Sequence, residues 1–385
     1  MIKQKIFIIF FAILFTILFI IQIVSAQNYP VPLQGKKIAV FLDPQYQIDE
    51  AWYAPKRLTE AGADVKIVSH HPVISRDFHT IKTDINPEEA LKTRWDGIVV
   101  VGGFSPLEIR EDKNVINIIR DVNNRNGMVS AICHGVCVLV TADLIRGKNV
   151  TGNIPRSIEF KNAGAIFHDT APQIDGNIIT AIGPQDNGPY LDAMINWFDG
   201  GEKAAKDHLN DQYLKGKRIA VIIDNRYNYD QVKYPMVRLH HNGADVYYLA
   251  NAEGEYSEYR GGGKIKADMR AQDAFTEKFD AVILISHWAA DTFRRHPDIL
   301  QFVSRKLKDG TLIASINWGH TALISADICK GYKIASTWGM QNDIKNAGGT
   351  PVLEPVCQDR NLITCATDDD MPLLMRYVVG YLTKK

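Results

Sequence analysis

Two halves of this 385-residue chain carry the same landmarks in the same order, and that repeat restricts the fold more than any single motif does. Lys37-Ile38-Ala39-Val40-Phe41-Leu42 returns as Arg218-Ile219-Ala220-Val221-Ile222-Ile223, and Ala61-Gly62-Ala63-Asp64-Val65 as Asn242-Gly243-Ala244-Asp245-Val246. Asp96 has its echo in Asp280, Asn162-Ala163-Gly164 in Asn346-Ala347-Gly348, and Asn177-Ile178-Ile179-Thr180 in Asn361-Leu362-Ile363-Thr364. The offset is 181 at the start, becomes 184 after a three-residue insertion near 256–263, and then holds. A fixed offset over this length means duplication. It divides the chain into a first domain at 35–200, a connector at 201–215 and a second domain at 216–385. The connector is rich in Gly, Lys, Asp and Asn and reads either as a short helix or as a plain linker that also touches the domains.

Within each copy, short apolar β-branched runs alternate with amphipathic segments. The expected order is strand, helix, strand, helix, strand, an elbow strand with its helix, a hairpin-like pair and a final helix. Such a pattern predicts an α/β sandwich of three layers around a mostly parallel sheet. Ligands of such sheets sit beyond the carboxyl ends of the strands. Two turns of the first copy lie there: Gly102-Gly103 after Ile98-Val99-Val100-Val101, and Cys133-His134-Gly135 after Val129-Ser130-Ala131-Ile132.

A cysteine where a strand turns into a helix is a candidate nucleophile, because free helix amides favour its thiolate. Cys133 fits that description. His134 beside it is a proton shuttle if its ring turns back over the sulfur, and Glu50, just after the first strand, is placed to approach and share a proton. The amides of Gly102, Gly103 and His134 are candidate oxyanion donors. Cys137, one helical turn on, is expected to pack inward, with a resolving thiol as the rival reading.

The second copy is an internal control. Cys133 becomes Asn317, His134 becomes Trp318, Glu50 becomes Gln231 and Gly102-Gly103 becomes Ser286-His287, while Gly135 persists as Gly319. Nucleophile, base and acid vanish together, so this domain reads as catalytically silent. It serves as a packing partner, a wall of the first site or a separate binding site. Trp318 and His287 would suit an aromatic-lined pocket; Tyr247, Tyr248, Tyr256, Tyr259, Trp288 and Trp338 read equally well as core or interdomain surface.

Composition removes other classes. Lysines plus arginines equal the acids at 44 each, and no basic tract exists, so a nucleic-acid partner is not expected. Five cysteines are too few and odd in number for a disulfide framework, and Cys357 and Cys365 would not sit opposite each other across a two-residue hairpin. The adjacent pairs His70-His71 and His240-His241 lack further ligands, so no metal is expected. A Gly-Gly turn without a G-x-G-x-x-G fingerprint is no dinucleotide site, so no cofactor is expected either. At the N-terminus, Lys3 and Lys5 precede an apolar run at 6–24 and Val24-Ser25-Ala26 stands before Gln27. This reads as a signal peptide; the rival is an uncleaved membrane anchor, since a run of nineteen residues approaches a bilayer span. Either reading puts the body in a periplasmic or extracellular space.

Asp96-Gly97-Ile98-Val99-Val100-Val101-Gly102-Gly103 and Ala131-Ile132-Cys133-His134-Gly135 together resemble the ThiJ/PfpI family of the class I glutamine amidotransferase-like superfamily. The hairpin-like Gln173-Ile174-Asp175-Gly176-Asn177-Ile178-Ile179-Thr180 adds a weaker match. The resemblance covers about 35–200 well and 215–385 as a degenerate copy. It implies flavodoxin-like sandwiches, Cys133 as nucleophile with His134 beside it, and Glu50 hydrogen-bonded to the cysteine. It also implies a small-molecule or peptide substrate and a homo-oligomer, whose neighbouring subunit the fused second domain would replace. Family activities include amide or peptide hydrolysis and cofactor-independent glyoxalase or deglycase chemistry; a non-catalytic exported binding or redox-sensing protein is the alternative. Val101 departs from the family, where proline often precedes the glycines.

Overall fold

In the computed structural model, residues 29–384 are described; the N-terminal export segment read from the sequence lies outside them. The first domain contains β1 (Lys37–Phe41), α1 (Ile48–Glu60), β2 (Asp64–Val68), β3 (Gly97–Val100), α2 (Lys113–Asn124), β4 (Met128–Ile132), α3 (Val136–Thr141), β5 (Gln173–Asp175), β6 (Ile178–Ala181) and α4 (Asn187–Asp207). Its sheet runs β2-β1-β3-β4-β6-β5, parallel except for the antiparallel β5–β6 pair. The second domain repeats this with β7 (Arg218–Ile222), α5 (Tyr229–His241), β8 (Asp245–Ala250), β9 (Met269–Arg270), β10 (Ala281–Leu284), α6 (Pro297–Lys308), β11 (Leu312–Ile316), α7 (His320–Ser325), β12 (Val356–Asp359), β13 (Leu362–Cys365) and α8 (Met371–Thr383). Its sheet order is β9-β8-β7-β10-β11-β13-β12. These are two flavodoxin-like sandwiches in tandem.

The strands alternate as a sheet covered on both faces must. Ile38, Val40, Leu42, Val99 and Val101 face one core, and Ala39, Phe41, Ile98 and Val100 the other. Several repeated polar residues are the fixed bonds of this scaffold. Asp96 accepts the Lys37 amide at 2.8 Å and Asp280 the Arg218 amide at 2.9 Å. Thr180 and Thr364 hydroxyls each accept a buried amide at 2.9 Å, from Thr151 and Ala335. Buried amides need partners, which explains why these positions survive in both copies.

Two expectations need correction. The helix expected between the second and third strands is a β-hairpin, Val73–Arg76 with His79–Lys82, followed by the one-turn helix Pro87–Ala90. Ser75 and Thr80 pair across it, and such a short two-stranded excursion has too little apolar periodicity to announce itself. Helices at Ser105–Ile109 and Lys113–Asn124 also stand between the third strand and the elbow strand, where none was expected. The first half of the connector is helical: α4 runs on to Asp207 through a kink at Gly200-Gly201, and Leu214 is buried with its amide bonded to the Asn242 carbonyl. All five cysteines are free, and Cys357 stands opposite Thr364 rather than Cys365.

Each domain sets its first helix against the other's last, α1 on α8 and α5 on α4, with α1 also meeting α5. This is an internal pseudo-dimer. The apolar core on the α1 side of the first sheet continues without a break into the second domain, with Tyr53 and Tyr234 rings 5.4 Å apart. A buried ionic network crosses the seam. Arg57 meets Asp192 at 2.9 Å, Arg238 meets Glu60 at 2.7 Å, and the Tyr234 hydroxyl donates to Glu60 at 2.5 Å. Asn242 and His241 complete the shell of Asp192 at 3.1 and 3.2 Å. Removing one member of such a network strands a buried charge, at a cost of about 3–5 kcal/mol.

Candidate active site at the first elbow

The chain leaves β4 with Ile132 extended at φ −126° and enters a 3-10 turn, Cys133–Gly135, with Cys133 at φ 58°. A non-glycine residue there costs on the order of 1–3 kcal/mol, so the strain is held by the surrounding structure. Gly135 is required, because a Cβ would lie 2.3 Å from the Val100 carbonyl oxygen. Gly103, at φ 82°, is required as well: a Cβ would meet the Gln45 carbonyl oxygen at 2.2 Å. The neighbouring strand ends therefore pack close enough for β3 and β4 to share one crevice.

Glu50 enters from the first turn of α1, whose start is capped by Gln47 accepting the Asp49 amide at 2.6 Å. The Glu50 carboxyl is fully buried and accepts the Gly102 amide through Oε2 at 2.7 Å. This corrects one sequence expectation. The Gly102 amide is committed to Glu50, so it is not an oxyanion donor, whereas the Gly103 and His134 amides point at the Cys133 sulfur. The other oxygen, Oε1, has no well-formed bond of its own, and the thiol is the side chain with which the carboxyl interacts.

The electrostatics differ from a helix-acidified thiol. Burial raises Glu50 to about 8, with the Gly102 amide pulling the other way. Burial and then the charge of Glu50 push Cys133 up to about 11, against the Gly103 and His134 amides and Asn153. Helix-terminal stabilisation, expected from sequence, does not win here, because α3 is only six residues long and the sulfur is 8% exposed at residue level. Near neutrality each group therefore keeps its own proton, and the two titrations are linked. While Glu50 keeps its proton, the charge that opposes a thiolate is absent; two anions side by side are disfavoured.

His134 does turn back: its Nδ1 lies 3.4 Å from the sulfur. Burial, and then the Arg156 guanidinium, lower its affinity for a proton, so the ring is a neutral base or acceptor. Phe104 packs on this ring at 5.5 Å and is itself 57% exposed, forming an apolar lip. Cys137 is buried, facing the core.

Sequence reasoning missed Asn153, whose Nδ2 lies 3.8 Å from Cys133 Sγ and whose backbone amide bonds the Cys133 carbonyl at 3.1 Å. It stands twenty residues downstream in an irregular segment, so only its replacement by Thr337 in the silent copy could have hinted at it. Asp49 was missed too. It accepts the Tyr229 hydroxyl of the second domain at 2.7 Å, one residue from Glu50. His70, weighed as a metal ligand, instead bridges Asp43 at 2.5 Å and Asp112 at 2.8 Å; burial opposes its proton, but these two carboxylates raise its pKa. His241 belongs to the interdomain network.

In the second domain the same turn persists, with Asn317 at φ 42° and Gly319 pressed against the Leu284 carbonyl. Gln231 repeats the Glu50 bond, accepting the Ser286 amide at 2.7 Å, but carries no charge. The Trp318 amide, equivalent to that of His134, is bonded to Ser286 Oγ at 3.2 Å. Sulfur and acid are therefore gone from this elbow, and the amide that matches the His134 donor is already bonded.

The DJ-1/PfpI family matches twice, over residues 36–196 and 217–380. Protein/nucleic acid deglycase 2 of Escherichia coli is 30% identical over 157 residues, 40% of this chain and 91% of that protein. Protein DJ-1 homolog D of Arabidopsis thaliana is 22% identical over 322 residues, 78% of this chain and 79% of its own. Among solved structures, Drosophila melanogaster DJ-1beta covers 45% of this chain and 95% of its own at 24% identity and a TM-score of 0.41. With both halves matched by one family, this chain is a tandem member of the DJ-1/PfpI family.

Proposed function

We propose that the first domain is a cofactor-independent enzyme in which the Cys133 thiolate attacks an electrophilic carbonyl. The observation that carries this reading is the sulfur held beneath two backbone amides, Gly103 and His134, beside a buried carboxyl that retains a proton near neutrality. Attack converts the carbonyl oxygen to an oxyanion, and the two amides stabilise charge where it develops. The neutral His134 ring, its Nδ1 3.4 Å from the sulfur, takes the thiol proton as the sulfur attacks and returns it when the sulfur leaves. Glu50 delivers its own proton to the oxyanion and then acts as the base, and Asn153 Nδ2 stands 3.8 Å from the sulfur.

With a 2-oxoaldehyde the adduct is a hemithioacetal. Proton movement between its two carbons through Glu50 gives a thioester, and water releases a 2-hydroxy acid and the free thiol. Likeness to a deglycase supports this branch. The neutral His134 ring beside the sulfur supports the second branch, amide hydrolysis, in which it protonates the leaving amine and activates water. Product analysis with methylglyoxal, a glycated amine and a panel of peptide amides separates the branches. Turnover that disappears in Cys133→Ala is expected for one of these classes. Turnover equal in mutant and wild type, or none with any carbonyl substrate, would overturn the proposal.

A further inference from the structure

The silent elbow opens on a cavity of about 280 Å³ lined by His287, Trp288, Asp291, Asn317, Trp318 and Asp368. Trp288 and Trp318 are 48% and 50% exposed, so two large apolar faces stand in water. We propose that this cavity is a binding site for the ring of a neutral sugar, separate from the cysteine site.

Loss of catalytic groups alone does not produce these features. His287 occupies the place of Gly103 and keeps its left-handed backbone, at φ 71°, a conformation that strains any residue with a side chain. Its ring stacks on Tyr259 at 4.4 Å. Tyr259 comes from the hairpin loop that carries the three extra residues of the second copy, so the insertion backs one wall of the cavity. Phe104 and His134 are replaced by the two tryptophans, and Leu107 by Asp291. An aromatic plane, amide and carboxylates at one mouth can meet the C–H face and the hydroxyls of a ring ligand.

Charge decides against ions. Two carboxylates in the lining repel an anion. A cation is disfavoured because positive groups already serve these acids and rings. Arg226 lies over Trp288 at 4.4 Å, Arg260 over Tyr259 at 4.7 Å, and Arg294 is 3.8 Å from Asp291. Asp368 Oδ1 accepts from the Asn317 side-chain Nδ2 at 3.2 Å, leaving acceptor capacity for a hydroxyl. A neutral polyol with one apolar face satisfies all of these groups at once.

Ligand-observed saturation-transfer NMR on the full chain tests this with D-glucose, D-galactose, N-acetyl-D-glucosamine and their β-linked disaccharides, with tetramethylammonium and acetate as ionic controls. At least one sugar is expected to saturate in the millimolar range or below. Trp318→Ala and Asp368→Asn should each weaken it about tenfold or more, while Cys133→Ala leaves it unchanged. No response from any sugar, tighter binding of either ion, binding unaffected by Trp318→Ala, or binding lost in Cys133→Ala would each overturn the assignment. Because Trp318 is half exposed, its removal leaves the core intact, and circular dichroism checks that the variant is folded.

Discussion

At the first elbow the chain turns from β4 through Cys133 at φ 58°; at the second it turns from β11 through Asn317 at φ 42°. The same strained backbone is kept on both sides, and so is the bond that clamps it, Gly102 to Glu50 in one copy and Ser286 to Gln231 in the other, each 2.7 Å. What differs is ionisable chemistry. A buried acid beside a sulfur can trade one proton; a buried amide beside an amide cannot. The elbow is a backbone scaffold in its own right, kept in both copies while three or four side chains placed on it differ.

The largest effect expected of any change is at the sulfur itself. Cys133→Ala should bring turnover to the uncatalysed rate, while Asn317→Cys should restore none at the second elbow, since its acid is an amide and the Trp318 backbone amide is already bonded. Steady-state assays on both variants check this; activity from the second elbow would break the contrast.

Glu50→Gln should cost about 10²–10⁴-fold in kcat/KM, the usual worth of a positioned acid–base group. The variant should fold, because Gln231 already makes that bond in the other copy. Its stability gives a second readout. Glu50 is raised to about 8 by burial, so the folded state binds more protons than the unfolded state between about pH 4.5 and 8. Wild-type stability therefore falls as pH rises through that window, and Glu50→Gln removes the fall. Chemical denaturation across pH should show the variant gaining on wild type by a few kcal/mol towards pH 9. Wild-type activity should also decline above pH 8, as the ionised Glu50 raises the barrier to a thiolate.

The seam between domains yields the next largest change. Arg238→Ala leaves Glu60 buried without its nearest cation and should destabilise the fold by about 3–5 kcal/mol, read as a lower denaturation midpoint. Smallest is Tyr229→Phe, which removes the bond to Asp49 next to Glu50. A loss of about 1 kcal/mol of stability, with a several-fold change in kcat and little in KM, would show that the silent domain positions the active one. An unchanged kcat would reduce the second domain's role at this site to packing.

Much of this was written in local pattern. The repeat, the strand ends at Gly102-Gly103 and Cys133, the inward Cys137 and the loss of sulfur and acid from the second elbow follow from side-chain type and fixed offset, which do not depend on distant contacts. Other features escaped because they are made between segments far apart in the chain. The hairpin at 73–82 gave no periodic signal, and Asn153 and Asp49 acquire roles only through neighbours that folding brings to them. Identity of residues determined that a cysteine, an acid and a histidine would occur together in one copy alone. Tertiary structure decided how they behave: burial, a property of the packed whole, makes both Glu50 and Cys133 hold their protons more tightly, where helix placement by itself suggested an acidic thiol.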